Sequence, residues 1–192
     1  MAGTDKSLLI LDLDETLIHA REAPLDRAAD FQLFDFHVYV RPHLERFLTE
    51  CASRFLLAVW SSASDDYVAE VMERIFPREL RLEFVWGRSR CSFSLDHARV
   101  MEDGHFDPSS HYSYVKRLHK VKRRGYRLER VLIVDDTPAK CIDNYGNAIY
   151  VSEYDGREHD TELLDLSRYL AALAEVPNVR TLEKRNWRNR FA

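Results

Sequence analysis

Between residues 8 and 17 the chain reads Leu8-Leu9-Ile10-Leu11-Asp12-Leu13-Asp14-Glu15-Thr16-Leu17. Four consecutive apolar residues predict a strand buried on both faces, the kind that lies inside a parallel sheet. Two carboxylates follow at its C-terminal end, and the period of two points both to the same side. In open α/β sheets that edge is where ligands bind. Like charges so close stay ionised only with a compensating cation or a shared proton. A hard divalent cation such as Mg²⁺ suits an all-oxygen site and leaves positions for water and phosphate oxygens. The pair suggests a division of labour: Asp12 as a nucleophile toward phosphorus, forming an aspartyl-phosphate, and Asp14 as the acid and base. Thr16 is placed to orient Asp14 or the loop backbone. An isolated D-x-D can also simply cap the turn after a strand, so the rest of the chain has to decide.

The 192 residues fit one domain able to bury a substantial core. A net charge of −4 offers no bulk attraction to nucleic acid or membrane. No apolar run reaches the length of a membrane span, and residues 1–6 lack signal-peptide character. Cys51, Cys91 and Cys141 form no C-x-x-C pair, which points to reduced thiols in a cytosol-like compartment. The expected localisation is cytoplasmic, or nuclear in a eukaryote.

Along the chain, His19 to Phe34 reads as a loop or flap over the first strand. Phe36 to Val40 alternates as a strand, and Arg41-Pro42 opens a helix with Leu44, Phe47, Leu48 and Cys51 inward. Phe55 to Trp60 is a second interior strand, ending in Ser61-Ser62-Ala63-Ser64 ahead of a helix from Asp65 to Phe76. Hydroxyls and N–H groups at such a junction make an anion site. Residues 80–110 read as a small β insertion with a turn at Asp103-Gly104, and with Arg88 and Arg90 as substrate-contact candidates. His97, His105 and His111 lie there without metal-ligand spacing. Tyr112 to Arg124 predicts a helix with a basic face, and Lys116 near its start is the candidate phosphate-neutralising cation. Val131 to Val134 is another buried strand, again closed by two carboxylates, Asp135 and Asp136. A short helix from Thr137-Pro138 to Tyr145, a strand at Ala148 to Val151 and a last helix capped by Asp160 complete the domain, taken as residues 1–178. Residues 179–192 form a basic tail: a docked arm, a partner contact or a frayed end.

Apolar strands alternating with helices predict an α/β fold, doubly wound on a mainly parallel sheet. There Asp12 and Asp14, Ser61 and Ser62, and Asp135 and Asp136 emerge on one edge. A nucleophile, a cation site and donors for phosphate oxygens are what phosphoryl transfer requires.

These four stretches in order, Asp12-Leu13-Asp14-Glu15-Thr16, Ser61, Lys116 within Tyr114-Val115-Lys116, and Asp135-Asp136, resemble the motifs of the haloacid dehalogenase (HAD) superfamily of phosphatases. Arg41-Pro42, Tyr67 and Asp160-Thr161-Glu162-Leu163 further resemble its Fcp/Scp group, the small C-terminal-domain phosphatases, over roughly residues 7–175. The resemblance implies a HAD-like fold and a Mg²⁺-dependent phosphoric monoester hydrolase acting on a phosphorylated protein or peptide at serine or threonine, the RNA polymerase II tail being one family substrate. It implies Asp12 as nucleophile and Asp14 as acid and base. Ser61, the Ser62 N–H and Lys116 would hold the phosphate, and Tyr67 and Arg88 would touch substrate. Asp12, Asp14 through its backbone carbonyl, Asp135 and Asp136 would form the metal site. Competing readings are a phosphatase of nucleic-acid ends or small phosphometabolites, for which the run Lys116 to Arg130 lacks stacking aromatics beyond Tyr126, and a non-catalytic phospho-binding adaptor.

Overall fold

The computed structural model describes residues 6–95, 101 and 112–190. Five parallel strands form the main sheet in the order β10-β9-β1-β5-β6. They are β1 (Leu8–Leu11), β5 (Leu56–Trp60), β6 (Leu82–Trp86), β9 (Val131–Asp135) and β10 (Ala148–Tyr150). The strand predicted to be most interior lies at the centre. Leu8 to Leu11 pair with Leu56 to Val59 on one side and with Val131 to Val134 on the other.

Alternation then divides the core in two. Leu9, Leu11, Leu57, Val59, Leu132 and Val134 face one way, with the inward residues of helices α1 (Leu44–Arg54), α2 (Asp65–Ile75) and α4 (Glu162–Leu173). Leu8, Ile10, Ala58, Trp60, Val131 and Ile133 face the other way, with Phe84, Trp86 and Leu118 and Val121 around the short helix α3 (His119–Lys122). Both faces are covered, as a parallel sheet requires. The doubly wound α/β fold is as expected, although among the described residues the second face carries one four-residue helix and 3₁₀ turns.

Several local expectations change. The segment read as a loop from His19 to Phe34 carries most of β2 (Ile18–Arg21) and all of β3 (Phe31–Leu33), which flank β4 (Phe36–Val40) in a small antiparallel sheet. Leu82–Trp86, assigned above to the insertion, is the edge strand of the main sheet, so the excursion begins after Trp86. Tyr112 to Arg124 is not one helix. Tyr112–Val115 is strand β8, paired antiparallel with β7 (Ser92–Leu95), and only His119–Lys122 is helical. The helix after Pro42 starts at Leu44, leaving Pro42 outside it. The segment after Pro138 is 3₁₀ with a kink at Cys141. The Asp103-Gly104 turn and His97, His105 and His111 lie outside the described residues.

The tail docks. Trp187 is fully buried, stacks on Tyr169 at 5.5 Å and donates from Nε1 to the Tyr150 carbonyl at 2.8 Å. Lys184 Nζ donates to the Val179 and Leu182 carbonyls. Among the described residues no helix is long and apolar enough to cross a membrane.

Candidate active site

Parallel register puts the ends of β1, β5 and β9 side by side. The Asp12 N–H donates to the Val134 carbonyl at 3.0 Å, and the Ser61 N–H donates to the Trp86 carbonyl at 2.9 Å. Beyond β1 the chain reverses at once. The Thr16, Leu17 and Ile18 N–H groups all converge on the Leu13 carbonyl, and Glu15 takes a left-handed conformation at φ 57°. A non-glycine residue there is strained by about 1–2 kcal/mol. The turn presents Asp14 over the sheet edge while Asp12 stays in the core.

Asp12 is buried, and each of its oxygens faces an ammonium. Lys116 Nζ lies 2.8 Å from Oδ1, which also accepts from the Leu13 N–H at 2.8 Å, and Lys140 Nζ lies 3.4 Å from Oδ2. Burial alone would raise the Asp12 pKa. The charges of Lys116 and Lys140 outweigh it and hold the carboxyl below its ordinary value. For Asp14 the balance goes the other way. Burial, then the charge of Asp12, push its pKa up, while the Tyr67 and Ser61 hydroxyls at 2.8 and 3.3 Å oppose the rise. Two carboxylates one residue apart are thereby split into an anion and a group inclined to hold its proton.

Lys116 is fully buried and also meets Asp135 Oδ2 at 2.6 Å. Burial disfavours its charge, but the Asp12 and Asp135 carboxylates more than restore it. Burial and the neighbouring Asp12 raise Asp135 to about 6. The backbone explains how a lysine outside any helix points inward. The Lys116 N–H donates to the Lys140 carbonyl at 2.8 Å, and the Asn144 side chain donates to the Lys116 carbonyl and accepts from the Leu118 N–H at 3.1 Å.

Carboxylate oxygens of Asp12, Asp135 and Asp136 lie within 4.8 Å of one another. An all-oxygen donor set of this kind fits a hard divalent cation. Thr16 and Thr137 hydroxyls donate to Asp136 at 3.4 and 2.7 Å, so Thr16 addresses Asp136 rather than Asp14. The Asp14 carboxylate is outside this trio and faces Tyr67 and Ser61.

Ser61 is buried, and its hydroxyl accepts from the Ala63 N–H at 3.0 Å. Arg88 Nε donates to the Ser62 carbonyl at 2.9 Å, pinning the loop. Arg88 and Tyr67 line a cleft of about 390 Å³ with Asp14, Ala20, Phe34, Phe36 and Ala63. Of the nominated substrate contacts, Arg88 and Tyr67 line this cleft, Tyr67 meeting Asp14 directly, whereas Arg90 lies outside it on the far side of its 3₁₀ turn.

Sequence reasoning missed Lys140, Asn144 and the pair in which the buried Arg41 donates to both oxygens of the half-buried Asp160 at 2.9 and 2.8 Å and to the Thr16 carbonyl at 2.9 Å. A lysine four residues after Asp136, on a helical turn started by Pro138, was the available signal for Lys140. Asp160 serves this arginine and also accepts from the Glu162 N–H at the start of the last helix, although the N-cap position itself is Thr161, whose side chain makes no capping bond.

A family model described as NLI interacting factor-like phosphatase matches residues 7–180. The Homo sapiens carboxy-terminal domain RNA polymerase II polypeptide A small phosphatase 1 is 28% identical over 186 residues, covering 92% of this chain and 62% of that protein. The Homo sapiens CTD small phosphatase-like protein is 29% identical over 184 residues, covering 91% and 58%. The chain thus spans between half and 62% of the length of the first curated relatives it matches. Among solved structures, that of Fcp1, an essential RNA polymerase II CTD phosphatase, aligns with a TM-score of 0.57 at 20% identity, over 97% of this chain and 60% of that one, a likeness of fold.

Proposed function

The chain belongs to the NLI interacting factor-like phosphatase family, and from that premise we propose that it hydrolyses phosphomonoesters of a phosphoprotein, at phosphoserine or phosphothreonine, through an aspartyl-phosphate on Asp12. The observation that carries this reading is the geometry of the two aspartates: Asp12 is buried between the Lys116 and Lys140 ammonium groups at 2.8 and 3.4 Å, while Asp14 faces the Tyr67 and Ser61 hydroxyls at 2.8 and 3.3 Å beside the cleft.

An ionised Asp12 oxygen attacks phosphorus as the bond to the leaving oxygen breaks, and Asp14 gives its proton to that oxygen. Asp14, now ionised, takes a proton from water as the water oxygen attacks the phosphoryl group, which leaves as inorganic phosphate and returns Asp12 to its carboxylate. Ser61, the Ser62 N–H and Lys116 are the donors for the phosphoryl oxygens in this scheme, while Lys116 also fixes the orientation of Asp12. Asp12, Asp135 and Asp136 would hold Mg²⁺, which when bound supplies positive charge opposite the phosphoryl oxygens. A cleft walled by Ala20, Phe34, Phe36 and Tyr67 beside Asp14 suits the side chains flanking a phosphorylated residue better than a small polar metabolite.

Phosphate release from p-nitrophenyl phosphate and from phosphoserine peptides, with and without Mg²⁺, tests the proposal. Asp12→Asn should lower turnover by at least about a thousandfold. Wild type and Asp12→Asn alike in turnover would end the enzymatic reading.

A further inference from the structure

The 3₁₀ turn Arg88–Arg90 separates two clefts. Arg88 lines the catalytic one with Asp14 and Tyr67, while Ser89 and Arg90 line the second with Trp86, Lys120, Arg123 and Arg124. This second cleft has a volume of about 350 Å³. It gathers four cationic side chains and no carboxylate in a chain of net charge −4. Among the described residues none of the four forms an ion pair, and the neighbouring Asp65 carboxylate is held instead by Ser89, through its hydroxyl at 2.9 Å and its N–H at 3.3 Å.

The surface is built rather than loose. Lys120 Nζ donates to the Arg90 carbonyl at 2.8 Å and to the Cys91 carbonyl at 3.1 Å, tying α3 to the turn. Phe84 and Trp86 stack at 4.1 Å, with Arg90 5.7 Å above Trp86 and Arg124 5.3 Å from Phe84. A guanidinium stacked in this way is oriented by its ring yet keeps N–H donors at its rim for carboxylate or phosphate oxygens.

We infer that this cleft is a docking subsite for an acidic or phosphorylated segment of the same protein whose phosphate enters the catalytic cleft. The inference deepens the proposed function and rests on its phosphoprotein reading. The shared Arg88–Arg90 wall places the subsite alongside a polypeptide already engaged at Asp14. Nucleic acid fits less well. Phe84 and Trp86 are each only 7% exposed, so neither offers a face on which a base could stack. Charge here would accelerate encounter and raise kcat/KM, with a strong dependence on ionic strength.

The test compares three phosphoserine peptides that differ only in carrying an acidic block before the phosphoserine, after it, or not at all. One acidic peptide should exceed the neutral one in kcat/KM by roughly tenfold at low salt, and the two should converge as salt rises. The double substitution R90E/R123E reverses two exposed charges outside the catalytic cleft. It should abolish the difference and leave p-nitrophenyl phosphate turnover unchanged. Should the reversal fail to fold, R90Q/R123Q should reduce the difference in the same direction. Equal kcat/KM for all three peptides in wild type, or a preference that survives substitution, would overturn the inference. So would the absence of peptide discrimination together with RNA oligonucleotide binding, read by fluorescence anisotropy, that R90E/R123E abolishes. Wild type that turns over p-nitrophenyl phosphate and none of the three peptides would instead refute the phosphoprotein reading, and the subsite with it.

Discussion

The Tyr67 hydroxyl donates a 2.8 Å hydrogen bond to Asp14 Oδ1, so a residue nominated for substrate contact acts on the candidate acid. This bond favours the ionised form of Asp14 and works against burial and the charge of Asp12, which raise its pKa. In Tyr67→Phe the opposition is lost and Asp14 holds its proton to higher pH. The high-pH limb of kcat/KM for p-nitrophenyl phosphate, which reports loss of the general acid, should move upward. A limb that stays in place would show that Asp14 is not the group titrating there.

Lys140 stands 3.4 Å from Asp12 Oδ2 and 3.8 Å from Asp136 Oδ1, against two of the three carboxylates available to a divalent cation. Whether its ammonium is displaced or stays nearby, a like charge opposes metal binding. Titration calorimetry should therefore show Mg²⁺ binding Lys140→Gln about tenfold more tightly than wild type. Weaker binding in the variant would mean that Lys140 supports the site instead.

Asn144 holds Lys116 by its backbone, donating to the Lys116 carbonyl while accepting from the Leu118 N–H. Asn144→Ala leaves both groups without this partner in a buried segment and should cost about 1–3 kcal/mol in denaturant unfolding. Because Lys116 is the cation on Asp12, kcat should fall more than stability alone explains. A variant equal to wild type in both would remove Asn144 from the site's framework.

Glu15 is raised from 4.5 to about 8, first by burial and then by the Asp14 and Asp136 charges. A carboxyl raised on folding binds its proton more tightly in the native state. Its contribution is complete below the unfolded value and fades as pH climbs from 4.5 toward 8. In the presence of a chelator, Tm should decline across that window, and Glu15→Gln should flatten the decline. An identical slope in the two proteins would exclude Glu15 as its source.

Where burial on both faces dictates a continuous apolar run, local sequence was enough. Leu8–Leu11, Leu56–Trp60 and Val131–Asp135 are strands as expected, and their ends carry the acids and hydroxyls to one edge. Where two periodicities fit, it was not. Tyr114, Val115, Leu118 and Val121 satisfy a helical spacing, yet pairing of Ser92–Leu95 with Tyr112–Val115 makes the first part a strand, a choice set by a partner some twenty residues away. The segment from His19 to Phe34 follows the same rule. Its short strands gain their meaning only from β4 between them.

The amino-acid sequence by itself determined which strands are interior and which acidic and hydroxyl side chains end them, because strand burial and side-chain alternation are local consequences of residue type. Only the tertiary structure decided which donor meets which oxygen: Lys116 on Asp12 Oδ1, Lys140 on Oδ2, Tyr67 on Asp14, Arg41 on Asp160. Those partners are brought together by packing across distant stretches of chain, and each contact depends on the direction of a side chain and the backbone bonds that aim it, which residue spacing does not encode.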